Sequence, residues 1–123
     1  MSKQRYGEIN DGVSSVWYVD RIWALAESLP VEEIAISDIC GPDEVTWFSL
    51  EGPLPTCRNV AEHCKRILNA DLSYPVILTE DFRVFDGMHR IAKCIMEGKD
   101  TIKVRRFLTN PEPDEVNGVK TAV

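Results

Sequence analysis

Two apolar patterns with different periods occupy the first third of the chain. Between Val13 and Leu29 the apolar residues recur at spacings of three and four, which predicts one helix with a single buried stripe. Ser14 or Ser15 is placed to cap this helix, and Pro30 ends it. Apolar and polar residues then alternate from Val31 to Ile39, which predicts a strand.

The region from Thr56 onward predicts a helix, a hairpin, a second helix and a last strand. Thr56 is a suitable N-cap, and the apolar positions that follow share one helical face. Two short apolar runs joined by Thr79-Glu-Asp indicate an antiparallel hairpin. The predicted spans are helix Thr56–Ala70, strands Tyr74–Leu78 and Phe82–Phe85, an apolar helix from Ile91 that Gly98 ends, and strand Thr101–Leu108.

Two segments show no clear period. Residues 41–55 hold three prolines and two glycines around the apolar piece Val45–Leu50, which predicts either a brief strand or a hydrophobic flap. Residues 109–123 have two prolines and little apolar content, so we expect an extended or disordered tail. With 123 residues in all, the sequence predicts one α+β domain over residues 1–108, a small mixed sheet packed with about three helices.

The net charge of −6 is unevenly distributed. Residues 1–55 carry −7, residues 56–108 carry +3, and residues 109–123 carry −2. An acidic protein repels phosphate backbones and anionic membranes as a whole, so we expect no broad DNA binding. The surplus of positive charge places any anion site in residues 56–108.

The apolar runs and the cysteines of the sequence bear on the compartment in which the protein is found. No apolar run approaches the roughly 20 residues of a membrane helix, and the first residues lack the apolar stretch of a signal peptide. We therefore expect a cytoplasmic protein with no membrane partner and with reduced cysteines. Cys57, Cys64 and Cys94 fall among apolar helix positions and are interpreted as small core residues.

The segment Asp86-Gly-Met-His-Arg90 carries the most chemistry, because it joins a predicted strand to the first turn of a helix. Backbone N–H groups and the positive end of the helix dipole favour an anion there, Gly87 permits close approach to the backbone, and Arg90 offers a fork for phosphate oxygens. His89 is a candidate general acid or base. Asp86 is a candidate catalytic group, helix cap or metal ligand. The alternative is an ordinary Asp-Gly turn with a surface ion pair at Arg90.

The order of hairpin, Phe85-Asp-Gly-Met-His-Arg90, apolar helix and strand Thr101-Ile-Lys-Val resembles the ParB/sulfiredoxin fold superfamily over residues 74–107. This resemblance implies that the loop, including Gly87, Met88, His89 and Arg90, binds the phosphates of a nucleotide. The superfamily contains partition proteins, nucleases, sulfiredoxins and a free-serine kinase, so the resemblance leaves the reaction open.

Two departures narrow the choice within the superfamily. Sulfiredoxins have their nucleophilic cysteine immediately before the His-Arg pair, where this chain has Met88, whose thioether forms no thiolate. We therefore expect no sulfinic acid reduction. ParB-type proteins continue into a helix-turn-helix, whereas only a short segment follows Leu108, so we expect no sequence-specific DNA reading.

A second basic group lies on the predicted helix Thr56–Ala70. His63 and Arg66 are three residues apart and share a face, which lines the phosphate pocket or is simply solvated. Of the two, Arg66 is better suited to share a polyphosphate with Arg90. We expect magnesium brought by a nucleotide, with Asp86 as its ligand, and no zinc, since one helix cannot present Cys57, His63 and Cys64 to one ion.

Three functions follow from these patterns. The first is a small protein that binds a nucleotide or phosphorylated small molecule at Asp86–Arg90, with or without nucleotide hydrolysis or phosphotransfer. The second is a non-catalytic accessory module of DNA maintenance, in which the Trp-rich first helix or the Val45–Leu50 flap binds a partner or a second copy in a homodimer. The third is a metal-dependent nuclease, which needs a locally positive groove.

Overall fold

The computed structural model describes residues 4–122 and contains two four-stranded sheets and three α-helices. These elements form a single small α+β domain, as predicted. In chain order they are β1 (Arg5–Asn10), β2 (Val13–Tyr18), α1 (Val19–Ala26), β3 (Glu32–Ala35), α2 (Cys57–Leu68), β4 (Val76–Leu78), β5 (Val84–Asp86), α3 (Met88–Met96), β6 (Thr101–Arg106), β7 (Glu115–Val116) and β8 (Val119–Lys120), with a 3-10 turn at Ile36–Asp38 after β3.

The two sheets differ in how their strands pair. The first sheet has the order β1-β2-β7-β8 and is antiparallel throughout. The second has the order β3-β6-β4-β5, in which β4 and β6 run parallel and the other pairs run antiparallel. The mixed sheet of the prediction is therefore the second one, and an additional antiparallel sheet lies beside it.

The core lies on both faces of the second sheet. Because strand side chains alternate, Val76 and Leu78 face one way and Ile77 faces the other. On one face, α3 contributes Ile91 and Cys94 to the cluster around Val76. On the other face, Ile77 meets side chains of β2, α1 and β5, of which the largest are Trp17, Ile22 and Phe85. The loop that follows β5 is thus anchored by packing on both sides of the sheet.

The predicted helix Val13–Leu29 is wrong in its first third. Residues 13–18 form β2, which pairs with β1 through a tight turn at Asp11-Gly12, where both residues have positive φ angles of 51° and 79°. An Asp-Gly turn with this geometry matches the twist of a hairpin and selects strands on either side. Only residues 19–26 are helical.

Residues 109–123 are not an extended tail over the part that the structure describes. Asn117-Gly118 makes a second turn with positive φ angles of 51° and 82°, so that β7 and β8 form a hairpin. Strand β7 pairs with β2, and the Asp114 side chain before it is buried, with a relative exposure of 7%. The expected boundary after residue 108 therefore does not separate folded from unfolded chain.

The other elements agree more closely with the sequence prediction. The Thr56 hydroxyl accepts the Asn59 N–H at 3.1 Å and caps α2, and the β4–β5 hairpin, α3 and β6 all occur within two or three residues of their predicted positions. The strand predicted over residues 31–39 is shorter, since β3 ends at Ala35. Residues 41–55 contain no strand, which leaves the flap of the two alternatives.

The predicted burial of the helix cysteines is correct for one of the three. Cys57 and Cys64 are exposed on α2, because the buried stripe of that helix runs through Ile67 instead; only Cys94 of the three is buried. Within residues 4–122, no helix has the length and apolar character that a bilayer crossing requires.

Candidate functional site

The loop from Asp86 to Arg90 lies at the edge of the second sheet and leads directly into α3. Gly87 is the N-cap residue of α3, with a φ of 121°, and a Cβ added to it would lie 2.9 Å from a methyl group of Val76. Gly87 is therefore required by the backbone angle and by the strand beneath it. Among residues 4–122 no side chain caps α3, and Asp86 instead accepts from Trp23 and Arg90, so its predicted capping role is wrong.

Arg90 and Asp86 hold the loop in place through bonds within the protein. Arg90 Nη1 donates to the carbonyl oxygens of Pro75 (2.8 Å) and Tyr74 (3.2 Å), and Nη2 donates to Asp86 Oδ2 (3.1 Å). Trp23 Nε1 donates to the same Asp86 oxygen at 2.7 Å. These contacts give Arg90 a structural task, since they tie the start of β4 to the end of β5.

His63 and His89 form a hydrogen-bonded pair between α2 and α3. His63 Nδ1 lies 2.8 Å from His89 Nε2, and the two ring planes differ by only 10°. The Trp47 indole covers both rings, with centroid distances of 4.5 Å to each and interplanar angles of 17° and 12°. Since the imidazoles meet at nitrogen atoms, they lie edge to edge beneath one aromatic face.

Both imidazoles are held neutral. The pKa of His89 is lowered from 6.5 to about 4, chiefly because burial disfavours the charged form, with the nearby His63 and Arg66 adding to the effect. The pKa of His63 is also lowered, by burial and by Arg66. At neutral pH the pair therefore carries no net charge.

Arg66 is the exposed cation of the site. It lies in the last turn of α2, three residues after His63, and its guanidinium has no ion pair or hydrogen bond within residues 4–122. Its charge lowers the pKa of both histidines. An unpaired guanidinium beside neutral imidazoles is suited to receive an anion.

Two cavities flank the loop, and Arg66, Asp86, Gly87 and His89 border both. The first, of about 450 Å³, is here named the Tyr74 cavity and has a wall of aromatic side chains, Trp23 and Tyr74, with Asp71 at its margin. The second, of about 460 Å³, is named the Tyr6 cavity. It is bounded by residues 4–7, by the flap around Trp47, and by β5, His63 and Met88.

The structure brings together most of the residues that the sequence predicts for the site. The Tyr6 cavity is bordered by Arg66 and His63 from α2 and by four residues of the loop, Asp86, Gly87, Met88 and His89. The methyl group of Met88 packs against Gly41. Sequence reasoning missed Trp47 as the cover of the histidines and Trp23 as the partner of Asp86. The apolar flap around Trp47 was the available signal, but its contact with α2 and α3 depends on the tertiary fold.

Metal ligands are sparse around the loop within residues 4–122. In the part of the chain that the structure describes, no group of three or more His, Cys, Asp or Glu side chains is arranged to hold an ion. Asp86 Oδ2 accepts from Trp23 and Arg90, so Oδ1 is the oxygen of this residue that remains for a cation. One carboxylate oxygen fits an ion that takes its other ligands from water and phosphate.

The chain was compared with protein-family models, with curated proteins and with solved structures, and none of the three comparisons finds a match.

Proposed function

We propose that this protein binds a nucleotide or another phosphorylated small molecule where the loop Asp86–Arg90 meets the end of α2. The observation that carries the proposal is Arg66, an unpaired guanidinium that borders both cavities beside His89. Gly87, the N-cap residue of α3, makes no side-chain cap bond, so the first-turn amides beside this loop suit an anion. Guanidinium, amides and imidazole together suit phosphate oxygens.

The geometry changes the roles within the proposed site. Arg90 was the expected phosphate fork, but its guanidinium already bonds two carbonyls and Asp86. Arg66 takes that place in the proposal, with His89 as a further donor. Magnesium arriving with a nucleotide would be held at Asp86, where it would neutralise phosphate charge. The resemblance of residues 74–107 to the ParB/sulfiredoxin superfamily supports the same ligand class.

Calorimetric titration tests the proposal. The purified chain is titrated with ATP, CTP, GTP and their diphosphates in the presence of magnesium. We expect one of them to bind, and Arg66→Ala to weaken it at least about tenfold through the loss of a charge-assisted contact. Arg58→Ala is the matched control, since Arg58 lies on the same helix outside both cavities. No heat with any nucleotide, or equal losses in the two variants, contradicts the proposal.

The flap favours a second candidate, the interaction module. Val45 and Leu50 have relative exposures of 84% and 99%, and Leu54 of 50%, so the flap presents apolar side chains to solvent. Self-association through this surface predicts a dimer in sedimentation equilibrium that Leu50→Asp returns to monomer. A monomer at all concentrations contradicts the homodimer form of this candidate.

A further inference from the structure

The hydrogen bond between the two histidines restricts their protons to two linked arrangements. A neutral imidazole carries one N–H, and the bond between His63 Nδ1 and His89 Nε2 needs one facing nitrogen with a proton and one without. The ring that donates across the pair therefore has a bare outer nitrogen, and the ring that accepts has its proton on the outer nitrogen. The outer nitrogens are His63 Nε2 and His89 Nδ1, one an acceptor and the other a donor.

The surroundings keep this arrangement neutral. Trp47 covers both rings, and the ring of Phe48 meets His63 edge-on with 5.3 Å between the ring centroids. The guanidinium of Arg66 disfavours a further positive charge on either imidazole. Arg90 also lowers the pKa of His89, whereas Asp86 raises it. At His63, Glu62 raises the pKa. Burial and the arginines outweigh the two carboxylates, so the pKa of each histidine is lowered. The pair is therefore suited to transfer a proton without becoming a cation.

We propose that His63 and His89 form a proton relay for hydrolysis of a phosphate ester bound in the Tyr6 cavity, which both rings border. This inference rests on the proposed function. The water oxygen forms a bond to phosphorus while the bond from phosphorus to the leaving oxygen breaks. The water proton goes to the bare outer nitrogen, the shared proton crosses from one ring to the other, and the outer N–H of the second ring protonates the leaving oxygen.

After this step the pair has exchanged its tautomer and gained no charge. The relay explains why two histidines, and not one, lie under Trp47: a single neutral imidazole must first accept a proton and become a cation, which burial and Arg66 disfavour. His63 is thus a relay partner of His89, in addition to the phosphate contact expected from the sequence.

Nitrogen NMR of the full chain, uniformly labelled with ¹⁵N, tests the relay without any ligand. The sequence contains only these two histidines, so the side-chain spectrum has four imidazole nitrogens to assign. At pH 7 we expect a coupling across the N–H···N bond and shifts between protonated and bare values, because both tautomers exchange. Protons fixed on both outer nitrogens, one fixed tautomer, or a cationic ring at pH 7 overturns the relay.

Turnover measurements provide the second arm. With a nucleotide that calorimetry shows to bind, His63→Gln is expected to lower phosphate release about 100-fold, the usual contribution of acid–base catalysis, and to flatten its pH profile between pH 4 and 7. Cys64→Ser, an exposed position on the same helix that borders neither cavity, is the control and should change the rate less than about threefold. Equal rates for native protein and His63→Gln overturn the relay, whereas absence of any nucleotide binding overturns the proposed function and leaves the NMR result standing.

Discussion

Gly87 occupies a position that other residues fill only with strain. Its φ of 121° is unfavourable for L side chains, and an added Cβ would meet Val76 at 2.9 Å. We predict that Gly87→Ala lowers the free energy of unfolding by about 2 kcal/mol or more, measured by urea denaturation. Gly98→Ala is the control: Gly98 also has a positive φ, 74°, but open space around it, so a smaller loss of about 1 kcal/mol is expected. Equal losses would show that contact with Val76 is unimportant.

His89 gives the protein a stability that depends on pH. Its pKa is about 4 in the folded chain and near 6.5 when exposed, so above pH 6.5 both states are neutral and stability is at its full value. As the pH falls from 6.5 to 4, His89 is protonated in the unfolded chain but stays neutral in the folded chain, so the free energy of unfolding declines. We predict that His89→Gln reduces this decline in urea denaturation at pH 7.5 and 4.5. A decline of the same size in the variant would contradict the prediction.

At the residue scale, the sequence indicates which groups carry chemistry better than it indicates their tasks. Spacing alone places His63 and Arg66 on one helical face, and in the structure both side chains border the Tyr6 cavity. Arg90 and Asp86 were assigned to ligands, yet both bond within the protein. Local sequence could not separate these roles, because two of the three acceptors of Arg90 are carbonyls at least 15 residues away.

The two helices that carry the histidines are held together by Lys93. Its ammonium group donates to the carbonyls of Leu68 (3.1 Å) and Ala70 (2.8 Å), which satisfies the end of α2 from a position on α3. We predict that Lys93→Met lowers the free energy of unfolding by about 1–2 kcal/mol in urea denaturation and shifts the imidazole resonances of His63. Lys99→Met, which removes an exposed pair with Glu97, should cost under about 0.5 kcal/mol. Unchanged resonances in Lys93→Met would contradict the link between helix alignment and the histidine pair.

At the element scale, the sequence prediction is correct where two independent signals indicate the same element. For α2, the Thr56 cap and a full apolar stripe point to the same element. The sequence prediction missed four strands, β1, β2, β7 and β8, which are joined in pairs by the two-residue turns Asp11-Gly12 and Asn117-Gly118. These turns are recognisable hairpin signals, but the spacing of Val13, Val16 and Trp17 also fits a helix, and only pairing with β1 decides between them.

Asp114 joins the last strands to the rest of the molecule. Its carboxylate accepts the Tyr18 N–H at 2.8 Å and forms an ion pair with Arg21, in which Oδ1 lies 2.9 Å from Nε; the Asp114 side chain has an exposure of 8%. We predict that Asp114→Asn lowers the free energy of unfolding by about 2–4 kcal/mol, because the neutral amide removes the ion pair with the partly buried Arg21 and weakens the bond to the Tyr18 N–H. Thermal and urea unfolding measure this, with the exposed Glu112→Gln as control. A change in Asp114→Asn as small as in the control would mean that β7 contributes little to stability.

The pairing of β2 with β7 joins residues about 100 positions apart, as in the contact between Ser15 and Val116. On a ribosome the β1–β2 hairpin therefore emerges long before its strand partner exists. Trp17 packs against Tyr6 of the same hairpin, but the later-made Phe85 and Phe107 that bury it in the finished protein are missing at first. At about 5–20 residues per second, the nascent chain exposes this surface for roughly 5–20 s. That interval is when the protein most needs a chaperone.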